Sequence, residues 1–361
     1  MRKVFVLAIV LAVFLFPATV FAGGQQEGAQ QGTEEEKPEE TELVVYSTIF
    51  AEYAEAMKEA FEEANPGVTV HVLNPGGTES MMKKLDSESS NPQADVVHAG
   101  SSLNYEYAIK QDLIEPYAPQ AEGFQSVIKV GDSELVLSHP EDYYHSWSLM
   151  FTGIMYNSQV MEKNNLPMPD SYQDLTNPAY EGHIISANPL QSSTAFTNVM
   201  ATIQGYDDEA WELWEGINKN LPYYSNSSSK IYSLTKKGEF AFAISLSRPA
   251  LVAKQEGYPV DFIFPKDGTL VYDNAMALVK NAKHPELAKK FMDFILSNEM
   301  QREGAKYLYI PAKKGVLEAD HPAALENVTS KMGKILVGDS ERAEEVTPKV
   351  QEVFGKYIRE K

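Results

Sequence analysis

The sequence predicts an α/β protein built of two doubly wound lobes. Three observations predict it: short β-rich runs alternate with amphipathic helical segments, the alternation stops at a long extended aromatic stretch, and it then restarts. Alternation of this length argues for largely parallel sheets covered by helices on both faces.

In the first lobe, Leu43-Val44-Val45-Tyr46-Ser47 reads as a strand. Ala51 to Ala64 follows with Ala54, Met57 and Phe61 at helical spacing. Asn65-Pro66-Gly67 breaks that helix, Val68 to Leu73 is the second strand, and Gly76-Gly77-Thr78 opens a helix through Leu85. A third unit runs from Asp95-Val96-Val97 through Gly100-Ser101-Ser102 into a helix over Tyr105 to Lys110. The long extended stretch is Trp147 to Asn157. Beyond it, a Pro178 turn leads to a strand over His183 to Ser186, and Asn188-Pro189 leads to a helix that begins at Ser192-Ser193-Thr194. A helix starting near Ser228 and Ser229 precedes a strand over Phe240 to Ser245. Then come a strand over Val260 to Phe264, the turn Lys266-Asp267-Gly268-Thr269, an extended run Asn274 to Val279, and an amphipathic helix over Pro285 to Leu296. Helical segments fill the rest to Lys361, and no repeat of fixed period is present.

The first 42 residues predict processing and spacing rather than fold. Met1-Arg2-Lys3, an apolar run from Val4 to Phe16, and the small-residue end Val20-Phe21-Ala22 read as a cleavable secretory signal peptide over 1–22. The run is too short for a membrane-spanning helix, which needs ~20 residues. Residues 23–42 hold seven acids and one lysine among Gly and Gln, a composition with little to bury, and are expected to be a disordered acidic linker. A periplasmic location follows, secreted through the signal, with an uncleaved signal that acts as an anchor as the other reading. The chain has no cysteine, which excludes disulfides, thiolate metal sites, cysteine nucleophiles and a lipidated cysteine anchor. The net charge of -20 argues against nucleic acid and anionic membranes as partners.

Five times a strand end is followed by Gly, Ser or Thr and then a helix: Ser47-Thr48, Gly76-Gly77-Thr78, Gly100-Ser101-Ser102, Ser192-Ser193-Thr194 and Ser227-Ser228-Ser229. Ligands of open α/β sheets bind outside the carboxyl ends of the strands, and helix N-termini there favour an anion. Ser, Thr and Gly are also the preferred N-caps, so capping alone explains any one turn; the recurrence points to one shared cleft. Ser247 and Arg248 follow the strand over Phe240 to Ser245, where an arginine can clamp a carboxylate or phosphate or simply make a surface ion pair. The tyrosine pairs Tyr143-Tyr144 and Tyr223-Tyr224 are read as core or rim residues, with ferric ligation as the other reading. No G-x-S-x-G, H-E-x-x-H or G-x-x-x-x-G-K-[ST] motif occurs, and His98 and His145 are read as structural; no catalytic activity, metal or cofactor is expected.

The order of Val-Val-Tyr-Ser before a helix, Asn91-Pro92-Gln93-Ala94-Asp95-Val96-Val97, Gly153-Ile154-Met155-Tyr156-Asn157, Tyr172 to Pro178, Gly238 to Ile244 and His284 to Phe291 resembles extracellular solute-binding proteins of ABC importers, in the ferric-iron, phosphonate and sugar-phosphate branch. The resemblance spans nearly all of Leu43 to Gly315. It implies the periplasmic-binding-protein fold, with two lobes joined by a hinge of crossing strands: 43–148 plus 262–305 as lobe one, 149–261 plus 306–361 as lobe two. It further implies a monomer that closes on a small ligand and delivers it to the transmembrane subunits of an ABC permease. Ferric members carry an adjacent tyrosine pair where this chain has Arg248 and Pro249, which turns the expectation from iron to a phosphorylated or phosphonate-type organic anion. The anion is expected on Gly76-Gly77-Thr78 and Ser192-Ser193-Thr194, with Ser47, Thr48, Ser101, Ser102 and Ser228 nearby, Arg248 closing beside Ser247, and Tyr272 as a wall. A ferric receptor, a ligand-presenting subunit of a membrane sensor kinase and a periplasmic hydrolase are the alternatives.

Overall fold

A computed structural model describes residues 40–360, apart from Gly131 and Asp132. The expected signal peptide and the linker up to Glu39 lie outside the described residues. The linker's expected end is shortened from within: Glu42 already opens the first strand, and the Glu40 carboxylate accepts from the backbone N–H of Leu287 at 2.8 Å.

In chain order the first elements are β1 (Glu42–Ser47), α1 (Ala51–Ala64), β2 (Thr69–Leu73), α2 (Thr78–Ser87), β3 (Val96–His98), α3 (Ser102–Lys110), β4 (Ile114–Glu115), the hairpin β5 (Val127–Val130) and β6 (Ser133–Val136), and the long β7 (His145–Asn157). The middle holds α4 (Ser158–Asn164), β8 (Ile184–Ala187), α5 (Ser193–Tyr206), α6 (Ala210–Asn220), β9 (Tyr224–Ser225), α7 (Ser228–Lys236), β10 (Phe242–Leu246), α8 (Ser247–Gln255) and β11 (Val260–Ile263). The remainder is β12 (Thr269–Val279), α9 (Pro285–Ile295), α10 (Asn298–Lys306), β13 (Ile310–Pro311), α11 (Leu325–Thr329), β14 (Ile335–Leu336) and α12 (Ser340–Glu360).

One sheet runs through the molecule in the order β2-β1-β3-β12-β7-β10-β8-β9. β2, β1 and β3 are mutually parallel at one end, and β10, β8 and β9 are parallel at the other. β12 and β7 lie between, antiparallel to each other, with β12 antiparallel to β3 and β7 antiparallel to β10. The two doubly wound halves are therefore present, and the whole sheet is mixed because its two longest strands cross from one half to the other. Their near-continuous apolar sequence fits this position, since a strand with both faces covered needs no polar face. Every residue of β12 is buried.

Glycine enters β7 where another backbone must approach. A Cβ on Gly153 would stand 2.4 Å from the carbonyl oxygen of Ile263 and 2.8 Å from the Phe262 ring, so β11 can lie against β7 only with hydrogen at that position. β11 pairs with β7 from Asn157 to Ile154, and Phe262 packs with Met155, Ile185 and Ala250 in the core of the second half. β11 thus packs with the second half, and the chain crosses toward the first along β12. Within the C-terminal stretch, Ile310, Ala323, Leu325 and Val328 pack with the β5–β6 hairpin, and Leu336 of β14 joins the main core of the second half together with Val346, Val350 and Phe354 of α12.

Candidate functional site

Five short N-terminal turns were expected at one cleft, and the structure separates them by what each turn already binds. A cavity of about 340 Å³ opens between the two halves. It is walled by Thr48 and Gly76-Gly77-Thr78 from the first half, Ser192-Ser193-Thr194 and Ser227-Ser228-Ser229 from the second, and Tyr272 and Asn274 from the crossing strand β12. Three helix N-termini, those of α2, α5 and α7, therefore face one space. The first-turn N–H groups of each have no partner inside their own helix, and each terminus carries roughly half a positive charge.

Local chemistry fixes these turns. Gly76 and Gly77 have φ of 96° and 123°, a region in which a Cβ is strained. Their hydrogens leave the backbone of the α2 terminus open to the cavity. Ser192 caps α5, accepting from the N–H of Ala195 at 3.3 Å. Its hydroxyl also meets that of Ser228 at 2.6 Å, which ties the α5 and α7 termini side by side. Across the cavity the hydroxyls of Thr48 and Thr78 lie 3.5 Å apart. Gly100 also lines the wall; a Cβ there would stand 2.5 Å from Thr78 Cγ2. The preceding Ala99 holds φ at 76°, a conformation rare for a residue with a side chain and concentrated at ligand sites.

Alternation along β12 explains the division of labour among three consecutive residues. Tyr272 and Asn274, two apart, share the face that lines the cavity, and Asp273 points to the other face. There its carboxylate accepts from Ser101 Oγ at 3.1 Å, from Ser102 Oγ at 3.0 Å and from the N–H of Ser102 at 3.2 Å, and also from Ser146 Oγ. The N-terminus of α3 already holds an anion, one supplied by the protein itself. Ser101 and Ser102, expected at the ligand, are committed to that carboxylate and do not line the cavity.

Three further candidate residues are likewise engaged by partners of their own and stand outside the cavity lining. Ser47 is buried, its hydroxyl 3.0 Å from His98 Nδ1. Ser247 is buried with its hydroxyl accepting from the N–H of Phe151 at 3.2 Å. Arg248 is not a free group after a strand but lies in the first turn of α8, and its side chain does not line the cavity. It is 5% exposed, donates from Nε to the carbonyl of Tyr307 at 2.8 Å, and stacks between Phe50 and Tyr309.

Sequence reasoning missed Phe50, Glu79, Lys83, Tyr232 and Tyr309, which all line the cavity. Glu79 and Lys83 had a signal: they sit one turn apart in the helix that Gly77 opens, with carboxylate and ammonium 3.8 Å apart. Their charges offset, so the cavity's positive character comes from backbone dipoles. Burial pushes the Tyr272 and Tyr232 hydroxyls up to about 12, which keeps both as neutral donors. The tyrosine pairs singled out in the sequence lie elsewhere: Tyr144 donates to Glu106 and Tyr224 to Asn218. His98, pushed down to about 3 by burial, stacks on Trp147, and His145 bridges Ser138 and the carbonyl of Tyr117.

Against known proteins, the family described as "Bacterial extracellular solute-binding protein" matches residues 91–341. An uncharacterized protein of Haemophilus influenzae is 26% identical over 72% of this chain and 74% of its own length. A Salmonella typhimurium protein, provisionally named as a 2-aminoethylphosphonate-binding periplasmic protein, is 23% identical over 75% of this chain and 79% of its own. Among solved structures, the periplasmic binding protein AfuA from Actinobacillus pleuropneumoniae, with exogenous fructose-6-phosphate bound, superposes with a TM-score of 0.74 at 22% identity, covering 89% of this chain and 98% of that one. Iron-bound HitA from Pseudomonas aeruginosa superposes with a TM-score of 0.69 at 21% identity over 86% of this chain and 99% of that one. At these identities the superpositions establish the periplasmic-binding-protein fold and nothing finer. With a fold of two halves about a cleft and a family match over more than half of its length, the chain belongs to the bacterial extracellular solute-binding proteins.

Proposed function

We propose that the cleft captures a small organic anion of the phosphate-ester or phosphonate type and presents it to the transmembrane subunits of an ABC permease. One observation carries the reading: the N-termini of α2, α5 and α7 converge on a single cavity. Unpaired N–H groups and small hydroxyls there match the acceptor oxygens of a tetrahedral anion. Glu79 and Lys83 cancel, so the binding energy comes from aligned hydrogen bonds. Such a site discriminates by geometry as well as by charge. The organic part of the ligand rests against Tyr272 and Tyr232.

The halves act as lobes in this reading. The first is built on β1, β2 and β3 with α9 and α10; the second is built on β8, β9 and β10 with β11 and α12. β7 and β12 serve as the hinge, and closure couples binding to a shape the permease reads. The chain works as a monomer. Ferric ions are disfavoured in this reading, because Arg248 and Pro249 stand where the ferric receptors it resembles carry an adjacent tyrosine pair.

A thermal-shift screen with inorganic phosphate, 2-aminoethylphosphonate, fructose 6-phosphate, spermidine and ferric citrate tests this. A ligand at one hundred times its dissociation constant adds ~2.7 kcal/mol, which is about 4 °C for a fold of about 320 residues. A shift confined to the phosphorus anions supports the reading. A shift with ferric citrate or spermidine alone overturns it.

A further inference from the structure

Arg248 occupies a position that links three parts of the molecule. It belongs to α8, which packs on β7 and β11 in the second half. Its guanidinium lies 4.3 Å from the ring centre of Phe50, in the turn after β1, and 4.1 Å from that of Tyr309, which packs in the core of the first half. The group is thus sandwiched between two aromatic faces contributed by the opposite half, with Nε fixed on the Tyr307 carbonyl. A desolvated cation between two rings is held more strongly than one at a surface, and the planar guanidinium is the cation suited to such stacking.

Phe50 is the less buried member, 40% exposed, and it is the one that matters for the ligand. It lines the cavity of about 340 Å³ and also a second, outer groove of about 610 Å³. That groove, between α7, α8 and Tyr307, is lined by Arg248 and shares Phe50, Ser229, Tyr232 and Pro249 with the cavity. Phe50, with Ser229, Tyr232 and Pro249, stands on the border shared by the two spaces. A large exposed aromatic has little of its own to hold it in one place, and here the stack on Arg248 supplies what burial does not.

We propose that Arg248 is a positioning residue for Phe50 and that the pair sets the size of ligand the cleft accepts, by keeping the outer groove closed off from the anion cavity. The cleft then selects compact anions over those with a bulky organic part. Selectivity by size rests on the anion reading given above; the positioning of the ring does not.

Two measurements separate the parts. The first needs no ligand: the fluorine spectrum of the protein carrying Phe50→4-fluorophenylalanine, with Arg248 intact, Arg248→Lys or Arg248→Ala. A narrow, ring-shifted resonance is expected with arginine, an intermediate one with Arg248→Lys, and a broad or solvent-like one with Arg248→Ala. Far-UV circular dichroism and a cooperative melt confirm that each variant is folded. Should Arg248→Ala fail to fold, Arg248→Lys decides on the same comparison. Superimposable spectra overturn the proposal. The second is calorimetric titration with inorganic phosphate and with fructose 6-phosphate. Phe50→Ala and Arg248→Ala should both shift the affinity ratio toward fructose 6-phosphate by about tenfold, within the range for a desolvated cation–aromatic contact. An unchanged ratio in both variants overturns the size-setting role. If the wild type binds neither probe nor 2-aminoethylphosphonate, the anion reading falls and the size-setting role with it, and the fluorine spectra still decide whether Arg248 holds the ring.

Discussion

The carboxylate of Asp273 should be worth several times an ordinary surface acid, and its removal should create an anion site where none now exists. Asp273 is 6% exposed and accepts from two hydroxyls and the first backbone N–H of α3, while its second oxygen serves Ser146. Hydrogen bonds to a charged group contribute about 1.5–3 kcal/mol each when one partner is removed, and the charge at a helix N-terminus adds about 0.3–1 kcal/mol. These terms share donors and do not add in full; a loss of about 3 kcal/mol is expected for Asp273→Ala and about half that for Asp273→Asn. For a fold of about 320 residues this corresponds to melting-temperature falls of about 4 and 2 °C. Differential scanning fluorimetry in a chloride buffer reads the fall directly. Repeating it in sulfate tests the cause: the vacated α3 terminus, with Ser101 and Ser102 now free, should make Asp273→Ala more sulfate-stabilised than the wild type. If the variant melts within 1 °C of the wild type, or gains no more from sulfate, Asp273 is not the anion that occupies α3.

Two further predictions follow from contacts in the same region. Ser192→Ala removes a cap and half of the 2.6 Å hydroxyl pair with Ser228, so it should cost about 1 kcal/mol of stability and weaken phosphonate binding about tenfold by calorimetry; a full cap penalty with unchanged affinity would place Ser192 outside the ligand contact. His98 should make the fold acid-sensitive. Its folded pKa lies near 3 and its unfolded value near 6.5, so the unfolded chain binds the proton first, and stability present above pH 6.5 falls as the pH drops toward 3. The slope from this residue approaches about 1.4 kcal/mol per pH unit between pH 6 and 4. His98→Gln, which keeps a partner for Ser47, should flatten the urea-midpoint profile in that window, and an unflattened profile would refute the assignment.

The architecture was legible because periodicity and breakers report on backbone geometry alone. Ala51 to Ala64 reads as a helix from the spacing of Met57 and Phe61 and its Asn65-Pro66-Gly67 stop, and the helix is found over those residues. The strand ends with Ser, Thr and Gly were visible for the same reason. What sequence could not reveal was which turns are already satisfied. Ser101 and Ser192 look alike in sequence, and each caps its helix; only the first is met by a carboxylate 172 positions away. Arg248 followed the same course, since nothing local announces Phe50 and Tyr309 as its partners. Lines of chemistry set by long-range pairing stay dark in a single sequence, and here they decide which of several equivalent turns faces the cavity. The position of β11 was hidden for a related reason: the close approach that Gly153 permits is a property of the pair of strands, and neither strand shows it by itself.

The proposed anion site, on a chain of net charge -20, sets a kinetic expectation that a basic receptor would not share. Distant carboxylates repel an approaching phosphate, and that repulsion acts over a screening length of about 10 Å at 0.1 M salt and about 30 Å at 0.01 M. The attraction acts at contact, from three helix termini whose influence falls off within their first turns. Salt therefore weakens the far field more than the near one. The association rate of a phosphorus anion should rise as ionic strength increases from about 10 to 200 mM, and its dissociation rate should change little, the reverse of electrostatic steering between opposite charges. Stopped-flow fluorescence of the buried Trp147 and Trp214 during mixing with 2-aminoethylphosphonate or fructose 6-phosphate measures both rates. An association rate that falls with salt would mean that free cationic side chains, rather than neutral backbone dipoles, draw the ligand in, and would put Lys83, which lines the cavity, at the centre of the site.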